Sequence, residues 1–275
     1  MRKRESFLFL TPLSPEKLLD RITLLGASFI KLAQVLATRN DFFPKTYLTK
    51  LKMLHDELPA MGEKTMQGVF TRAFKKDPFY AFEKEPIASA SIGQVHEAWL
   101  DKDTKVAVKL RREGIEIQVR ADIRILSFFN SLFRPLFSHY TKHSIEAVVN
   151  EFASMIVKEV SLNQERANLV KFSETYADMH VSFPVPYEAL SSDDALVMSF
   201  EEGFRFDDKV SLEKHDIDIT PIIETLVKFY TEQMLVRGFF HADPHPGNLL
   251  VSKEGTLVLL DFGMVKRVPN DTRVA

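Results

Sequence analysis

The sequence contains no cysteine, and its glycines never fall at the spacings that phosphate-binding loops require. Without cysteine the chain has neither disulfides nor cysteine-based zinc sites, and its redox compartment stays open. No two of the ten glycines are two positions apart, and no two are five apart. The first absence excludes a Gly-x-Gly-x-x-Gly loop, and the second excludes a Walker A loop.

Long runs of one residue class are also missing. No window holds 18 uninterrupted apolar residues, so this stretch of chain has no predicted membrane span. The net charge is -2 and no long basic run is present, which argues against nucleic acid as the main partner. With 275 residues, 45% hydrophobic and 27% charged, the composition is that of a globular protein with one large or two small domains.

The most informative stretch is residues 240–251, FHADPHPGNLLV, followed at 260–263 by LDFG. Asp243 and Asn248 are five positions apart, as in a kinase catalytic loop, and Asp261 opens an Asp-Phe-Gly tripeptide. In that arrangement the first aspartate orients or deprotonates a nucleophile. The asparagine and the last aspartate hold magnesium on the nucleotide phosphates. The spacing therefore indicates a phosphotransfer site.

Two short strands connect these motifs. Residues 248–251 and 256–260 have strand character and flank a turn at 252–255. A hairpin of this kind brings Asn248 and Asp261 to the same end, which is what a shared metal requires. An isolated Asp-Phe-Gly is a common turn, so the hypothesis of a phosphotransfer site depends on the loop, the hairpin and Asp261 together.

The two histidines of the loop have another interpretation. His241 and His245 are four positions apart, which suggests a metal-binding helical face. Pro244 and Pro246 prevent a regular helix there, so a loop-ordering role is favoured.

Upstream residues carry a second set of kinase-like features. Residues 86–100 pass from small residues into a strand, and KVAVKL at 105–110 forms another. A kinase uses the lysine of such a strand to contact the alpha and beta phosphates and to pair with a helical glutamate. A lysine ending a strand is usually an edge charge, but the place of Lys109 between these motifs favours the functional role. Because no glycine loop exists, the phosphates would be covered by Ala88, Ser89, Ala90 and Ser91.

Apolar periodicity predicts several helices, at 15–53 with a break at 38–44, and at 65–74, 114–133, 144–172 and 222–237. Lys31 and Gln34 would project from one face of the first, a pair that on composition alone is most often a solvated edge. Glu159 and Glu165 lie on the helix at 144–172, where acidic residues usually form a solvated face.

These residues resemble the UbiB, or AarF-type, family of atypical protein-kinase-like proteins. The similarity covers the chain from about Leu25 to the end. It rests on Lys31-x-Ala33-Gln34, the alanine-rich loop with SIGQVH at 91–96, VAVK at 106–109, Glu159-x-Ser161 with ERAN at 165–168, HADPHPGN at 241–248, and DFG at 261–263.

The resemblance implies an α+β, two-lobed kinase-like fold with an N-terminal helical segment across the active cleft. It implies a helical extension at 1–84, a small lobe with inserted helices at 85–203, and a partial large lobe at 204–275. Only twelve residues follow Gly263, so the large lobe looks truncated, and we expect an exposed apolar patch on the helix at 222–237.

Site roles follow from the resemblance position by position. Lys109 would contact the nucleotide phosphates and pair with Glu165, and Asp243 would take the catalytic-loop role. Asn248 and Asp261 would hold magnesium. The remaining motif, Lys31 and Gln34 with Glu159, would fill the cleft where a protein substrate would lie. Protein phosphorylation is therefore not the first expectation.

Two positions depart from the family pattern. Ala33 replaces the usual glycine of the Lys-x-Gly-Gln motif, so the packing of that helix against the cleft differs slightly. Ser161 replaces the usual aspartate of the Glu-x-Asp motif, which removes a carboxylate. Neither change touches the proposed metal ligands.

The family implies magnesium-dependent ATP binding and an ATPase or small-molecule kinase activity that supports isoprenoid quinone (ubiquinone) biosynthesis. The partners implied are nucleotide, a quinone precursor or lipid, and a membrane surface or biosynthetic complex, with no nucleic acid. The location implied is the cytoplasmic face of an inner membrane. The alternatives are a pseudokinase-like lipid-binding or scaffold regulator, which could lose Asp243, and an antibiotic phosphotransferase, which has no reason to carry Lys31-x-Ala33-Gln34.

Overall fold

The computed structural model describes residues 13–37, 43–54 and 58–274. Its α-helices are α1 (Pro15–Leu25), α2 (Ala27–Ala37), α3 (Lys45–Leu51), α4 (Glu63–Ala73), α5 (Ile115–Phe133), α6 (His139–Glu159), α7 (Leu162–Thr175), α8 (Lys209–Lys214), α9 (Ile219–Thr231) and α10 (Asn270–Val274). Its strands are β1 (Ala81–Phe82), β2 (Ala88–Ser89), β3 (Gly93–Trp99), β4 (Lys105–Arg111), β5 (Val181–Ser182), β6 (Ala195–Ser199), β7 (Phe204–Arg205), β8 (Phe239–His241), β9 (Leu249–Val251), β10 (Leu257–Leu259) and β11 (Val265–Arg267). The predicted mixture of helices and sheets is confirmed. The predicted helix break at 38–44 lies, over 38–42, outside the described residues.

One compact unit comprises the described residues within 1–59, together with 89–92 and 116–157. It holds α1 to α3, almost all of α5 and most of α6. Gly26 ends α1 with a φ of 90°, a backbone region that favours glycine, and its N–H bonds to Thr23 O. This turn lets Ile30 and Ala33 of α2 pack against Leu51.

The second unit comprises residues 60–88, 93–115 and 158–275. Strands β1, β3, β4 and β6 lie side by side in that order, and each neighbouring pair is antiparallel. Apolar residues of α4, including Met66 and Phe70, pack on Val106 and Val108 of β4. Lys109 is therefore on a central strand, where it is buried.

A second sheet in this unit has the order β5-β10-β9-β7. Strands β9 and β10 form the predicted hairpin, in which Leu249 is opposite Leu259. Phe172, Phe229 and Phe262 are buried in the core beside this sheet. Strands β8 and β11 pair separately, so the chain segments before and after the hairpin also lie together.

Three predicted helices differ from the observed ones. The continuous helix predicted from residue 15 to the break at 38–44 is wrong, because Gly26, with its positive φ, divides it into α1 and α2. The single helix predicted at 144–172 is wrong, because α6 ends at Glu159 and α7 begins at Leu162. Ser161 interrupts it: its backbone is extended and its side chain accepts a hydrogen bond from Gln164 N, as an N-cap does. The helix predicted at 222–237 begins earlier, at Ile219, and continues after Thr231 as a π-helical turn from Glu232 to Arg237.

The apolar patch expected on this last helix is present. Ile222 and Phe229 of α9 are buried, whereas Val227 and, in the π-helical turn, Leu235 are exposed. Among the described residues, no helix combines the length and apolar character needed to span a bilayer. The predicted domain boundaries at 84 and 203 stay a prediction.

Candidate kinase-like site

The centre of the candidate site is a buried lysine between two carboxylates. Lys109 Nζ donates hydrogen bonds to Glu165 Oε1 at 2.7 Å and Oε2 at 2.8 Å, and to Asp261 Oδ2 at 3.1 Å. Strand β4 supplies the lysine, helix α7 supplies the glutamate, and the segment after β10 supplies the aspartate. Three elements that are distant in sequence therefore meet at one ammonium group.

Burial and the mutual contacts of these three groups shift their pKa values. Burial disfavours the charged form of Lys109, but Asp261 and Glu165 outweigh it and hold the pKa of Lys109 above its usual value. Burial raises the pKa of Glu165 to about 7, while Lys109 acts in the opposite direction. Burial would also raise the pKa of Asp261, but Lys109 and the Gly263 N–H hold that pKa well below its usual range. Asp261 is thus the carboxylate that stays ionised.

The catalytic-loop pair is also assembled. Asn248 Nδ2 donates to Asp243 O at 3.2 Å and to Asp243 Oδ2 at 3.1 Å. Leu260 N donates to Asn248 O at 2.8 Å, which ties the loop to the segment that carries Asp261. The hairpin therefore brings Asn248 and Asp261 to the same end, as the sequence predicts.

Both histidines of the loop make local hydrogen bonds. His241 is buried, and its Nε2 donates to Asp261 O at 2.5 Å. His245 Nδ1 accepts from Gly247 N at 3.1 Å, in the turn that leads to Asn248. These contacts are those of loop-ordering residues, as the prolines of the loop suggest.

Two further residues support the site: Gln233, which the sequence analysis does not single out, and Asn168, which it quotes within the ERAN motif without assigning it a role. Gln233, buried in the π-helical turn, accepts a hydrogen bond on Oε1 from His241 N at 2.8 Å. Asn168 of α7 donates to Phe262 O at 2.8 Å. Asp261 directly precedes Phe262, whose carbonyl oxygen is held by Asn168. The φ of Asp261 is 57°, which is uncommon for a residue with a side chain. Such a conformation persists only where surrounding contacts fix it.

The side-chain oxygens at this site can serve as magnesium ligands only together with phosphate oxygens. Among the residues that the structure describes, no three His, Cys, Asp or Glu side chains are grouped to hold a metal by themselves. Magnesium is usually bound by one or two carboxylates together with phosphate oxygens and water. The Asp261 side chain is 41% exposed, and Asn248 uses its amide nitrogen on Asp243, which leaves its oxygen available. Asp261 and Asn248 therefore fit a magnesium ion carried by a nucleotide.

The other predicted site residues are placed as follows. Lys31 on α2 is 5% exposed, so it is not the solvated edge that composition alone favours. On the same helix, Gln34 Nε2 donates to Leu54 O at 3.2 Å. Glu159 is the buried last residue of α6. Of the small residues, Ala88 and Ser89 form β2, Ala90 follows, and Ser91 is buried. Their roles over phosphates or in a cleft stay predictions.

A strand lysine paired with a helical glutamate, an Asp-x-x-x-x-Asn loop and a third aspartate beside the lysine together define a kinase-like site. Comparison with known proteins agrees: residues 53–275 match the ABC1 atypical kinase-like domain. The chain belongs to the ABC1 atypical kinase-like family, which confirms the UbiB resemblance.

Curated relatives support the same assignment. The protein ACTIVITY OF BC1 COMPLEX KINASE 3, chloroplastic, of Arabidopsis thaliana is 34% identical over 258 residues, which are 92% of this chain and 36% of that protein. A Clostridium pasteurianum protein, described as an uncharacterized protein in hydrogenase 1 5'region, is 30% identical over 266 residues. These residues are 95% of this chain and 50% of that protein. The chain thus spans about a third to a half of these relatives.

A solved structure shares the fold. Rv3197 of Mycobacterium tuberculosis, determined in complex with erythromycin, superposes with a TM-score of 0.63 and 24% identity. The match covers 92% of this chain and 65% of that one.

Proposed function

We propose that this protein binds Mg-ATP and acts as an ATPase or small-molecule kinase. The observation that carries the proposal is the hydrogen-bonded group of Lys109, Glu165 and Asp261, in the same unit as the Asp243–Asn248 pair. A binding protein needs a phosphate-contacting lysine, but it has no need of a catalytic-loop aspartate held by a neighbouring amide. The retained Asp243 therefore favours an enzyme over a pseudokinase-like regulator.

Each residue has a role that its contacts support. Lys109, fixed by Glu165, presents a positive charge to the alpha and beta phosphates. Asp261 and Asn248 supply oxygen ligands for magnesium, which neutralises phosphate charge when bound. Asp243, oriented by Asn248 Nδ2, accepts the proton of an attacking hydroxyl or water. His241 holds the Asp261 backbone through its carbonyl oxygen.

The family extends the proposal beyond the site. We propose that the fold has the two-lobed kinase arrangement. Lys31, Gln34 and Glu159 then exclude a protein substrate from the cleft. The small residues at 88–91 cover the phosphates. The acceptor is then water or a small molecule. The resemblance supports a role in isoprenoid quinone biosynthesis, with a quinone precursor or lipid as the partner at a membrane or in a biosynthetic complex.

Nucleotide-dependent thermal stability tests the proposal. Saturating Mg-ATP at about 100 times Kd adds about 2.7 kcal/mol, which raises Tm by several degrees. The variant Asp261→Asn loses a metal ligand and should show less than about a tenth of the affinity. A matched control is Asp103→Asn, because Asp103 is exposed in the turn between β3 and β4. Equal Mg-ATP shifts in the native chain and Asp261→Asn would contradict the assigned site. Binding without phosphate release would instead favour the regulator.

A further inference from the structure

Two histidines lie together at the start of helix α6. His139 is the first residue of the helix and His143 follows four positions later, so both side chains project from one face. Their ring centroids are 4.4 Å apart, and His143 Nε2 is 3.2 Å from His139 Nε2. Both residues are exposed. The pair therefore brings two imidazole nitrogens together at the surface.

The separation of these two nitrogens suits a single metal ion. A bond between a histidine nitrogen and zinc is about 2.0–2.1 Å long. Two nitrogens that are 3.2 Å apart therefore subtend an angle of about 100° at a shared ion. That angle lies between the angles of octahedral and tetrahedral coordination, about 90° and about 109°. Histidines at positions i and i+4 are also the metal-binding pair of metalloprotease helices.

Glu146 faces the other ring nitrogen of His143. Its Oε2 is 3.8 Å from His143 Nδ1, which is longer than a hydrogen bond but within reach of charge attraction. Its Oε1 is 2.9 Å from Arg134 Nε, so an ion pair fixes the carboxylate beside the ring. A carboxylate in this place favours a proton on Nδ1 and leaves Nε2 as the metal-binding nitrogen. Metal-binding histidines commonly have such a partner.

A hydrogen bond between the two rings is the competing interpretation of the same distance. Neutral imidazoles approach to 3.2 Å when one Nε2 carries a proton and the other accepts it. A metal ion instead requires the lone pairs of both nitrogens, so the ion and the hydrogen bond exclude each other. A metal titration therefore separates the two interpretations.

We propose that His139 and His143 form a chelating site for one divalent transition-metal ion of the Cu²⁺, Ni²⁺ and Zn²⁺ class. Imidazole nitrogens suit these ions, whereas Mg²⁺ and Ca²⁺ prefer oxygen ligands. Within the described part of the chain no group of three His, Cys, Asp or Glu side chains could hold a metal, so water would complete the coordination shell. The ion would link the first two turns of α6. The site requires neither nucleotide nor turnover and goes beyond the proposed function.

Charge alone does not attract a cation to this place. The N-terminal end of a helix carries a partial positive charge, Lys142 adds another next to His143, and Glu146 opposes them. The affinity must therefore come from chelation, in which the second imidazole binds an ion that the first already holds. Loss of either histidine, or of their spacing, should remove that gain.

Calorimetric titration of the untagged 275-residue chain with ZnCl₂ and with NiCl₂, in the absence of nucleotide, tests the site. We expect one ion per chain and an unfolding midpoint that rises with metal concentration, because the ion binds the folded helix. MgCl₂ should give the same heat in the native chain and in the histidine variants, because two imidazoles offer it no oxygen ligand.

Three variants separate chelation from the general affinity of histidine for metals. His143→Gln removes one ligand and should weaken Zn²⁺ binding about tenfold or more. His143→Ser combined with Ser144→His keeps both imidazoles but places them five residues apart, about 140° around the helix, and should weaken binding to the same extent. His180→Gln is the matched control: it removes an exposed histidine of another segment and should leave the affinity unchanged.

Three results would overturn the proposal. They are no binding of Zn²⁺ or Ni²⁺ by the native chain, equal affinities of the native chain and the spacing variant, and equal losses from His143→Gln and His180→Gln. The unfolding transition in EDTA shows whether each variant folds, and replacements at these exposed positions should leave it unchanged. Asp261→Asn should bind Zn²⁺ as the native chain does, so failure of the metal site is distinguishable from failure of the proposed nucleotide site.

Discussion

Lys109 shows how a buried cation shapes the site at the scale of single residues. A charged amine that is almost removed from water is stable only when it is paired, and Glu165 and Asp261 provide two carboxylates for one ammonium. The group therefore carries an excess negative charge when both are ionised. Asp261 is the more exposed carboxylate, so a divalent cation can neutralise this excess without displacing the Lys109–Glu165 pair.

Glu165 predicts a pH dependence of stability. Its pKa is raised from 4.5 to about 7 by burial, so between these values the folded state binds a proton that the unfolded state has lost. The contribution of Glu165 to stability is complete below about pH 4.5 and is lost as pH rises through 7. Urea denaturation of the native chain and Glu165→Gln at pH 5 and pH 8 should show a difference that changes by up to about 3 kcal/mol.

The control for this experiment lies on the same helix. Glu174 of α7 is exposed, so Glu174→Gln should leave the pH profile of the native chain unchanged. Parallel pH profiles for the native chain and Glu165→Gln would show that Glu165 titrates normally in the folded state.

The residues that build the site differ in how visible they are in the sequence. Asp243, Asn248 and Asp261 are identifiable because kinase chemistry fixes their spacing. Gln233 is not, because no helix or strand periodicity encodes its bond to His241 N. Asn168 belongs to the ERAN motif, but its role is not identifiable, because it bonds to Phe262 O in a distant part of the sequence. Only the folded chain shows which polar side chains hold these loops.

At the scale of elements, short-range signals predict the hairpin better than the helices. Strands β9 and β10 follow from two apolar runs and a turn, and their register places Asn248 at the end where Asp261 emerges. The interruption between α6 and α7 also has a signal, because Ser161 and Gln164 have the spacing of a capping box. The helical periodicity of apolar residues continues across the interruption, so the periodicity alone predicts one uninterrupted helix. The π-helical turn that contains Gln233 has no comparable signature, although such turns are frequent at functional sites.

Ser161 supplies a prediction for the element it begins. Its hydroxyl accepts from Gln164 N at 3.2 Å, and α7 carries Glu165 one turn into the helix. Ser161→Ala should cost about 1 kcal/mol of unfolding free energy in urea denaturation. Ser161→Asp, which keeps an acceptor and restores the usual family residue, should stay within a few tenths of a kcal/mol of the native chain. An equal loss in both variants would show that the side chain acts by something other than capping.

At the scale of the whole molecule, the residues at the centre of the candidate site lie in one of the two units. Lys109, Glu165 and Asp261 belong to the unit that contains 93–115 and 158–275, and so do Asp243 and Asn248. Each unit has its own apolar core. Nucleotide binding should therefore leave a mark on the unit that holds these five residues.

Hydrogen exchange can record this mark. Mg-ATP should slow exchange of backbone amides in 241–263, because a nucleotide that binds Asn248 and Asp261 opposes local opening of the loops between β8 and β11. Asp261→Asn should abolish this effect, and the control variant Asp103→Asn should retain it. If Mg-ATP slows exchange only in segments other than 241–263, the nucleotide does not bind beside Asn248 and Asp261.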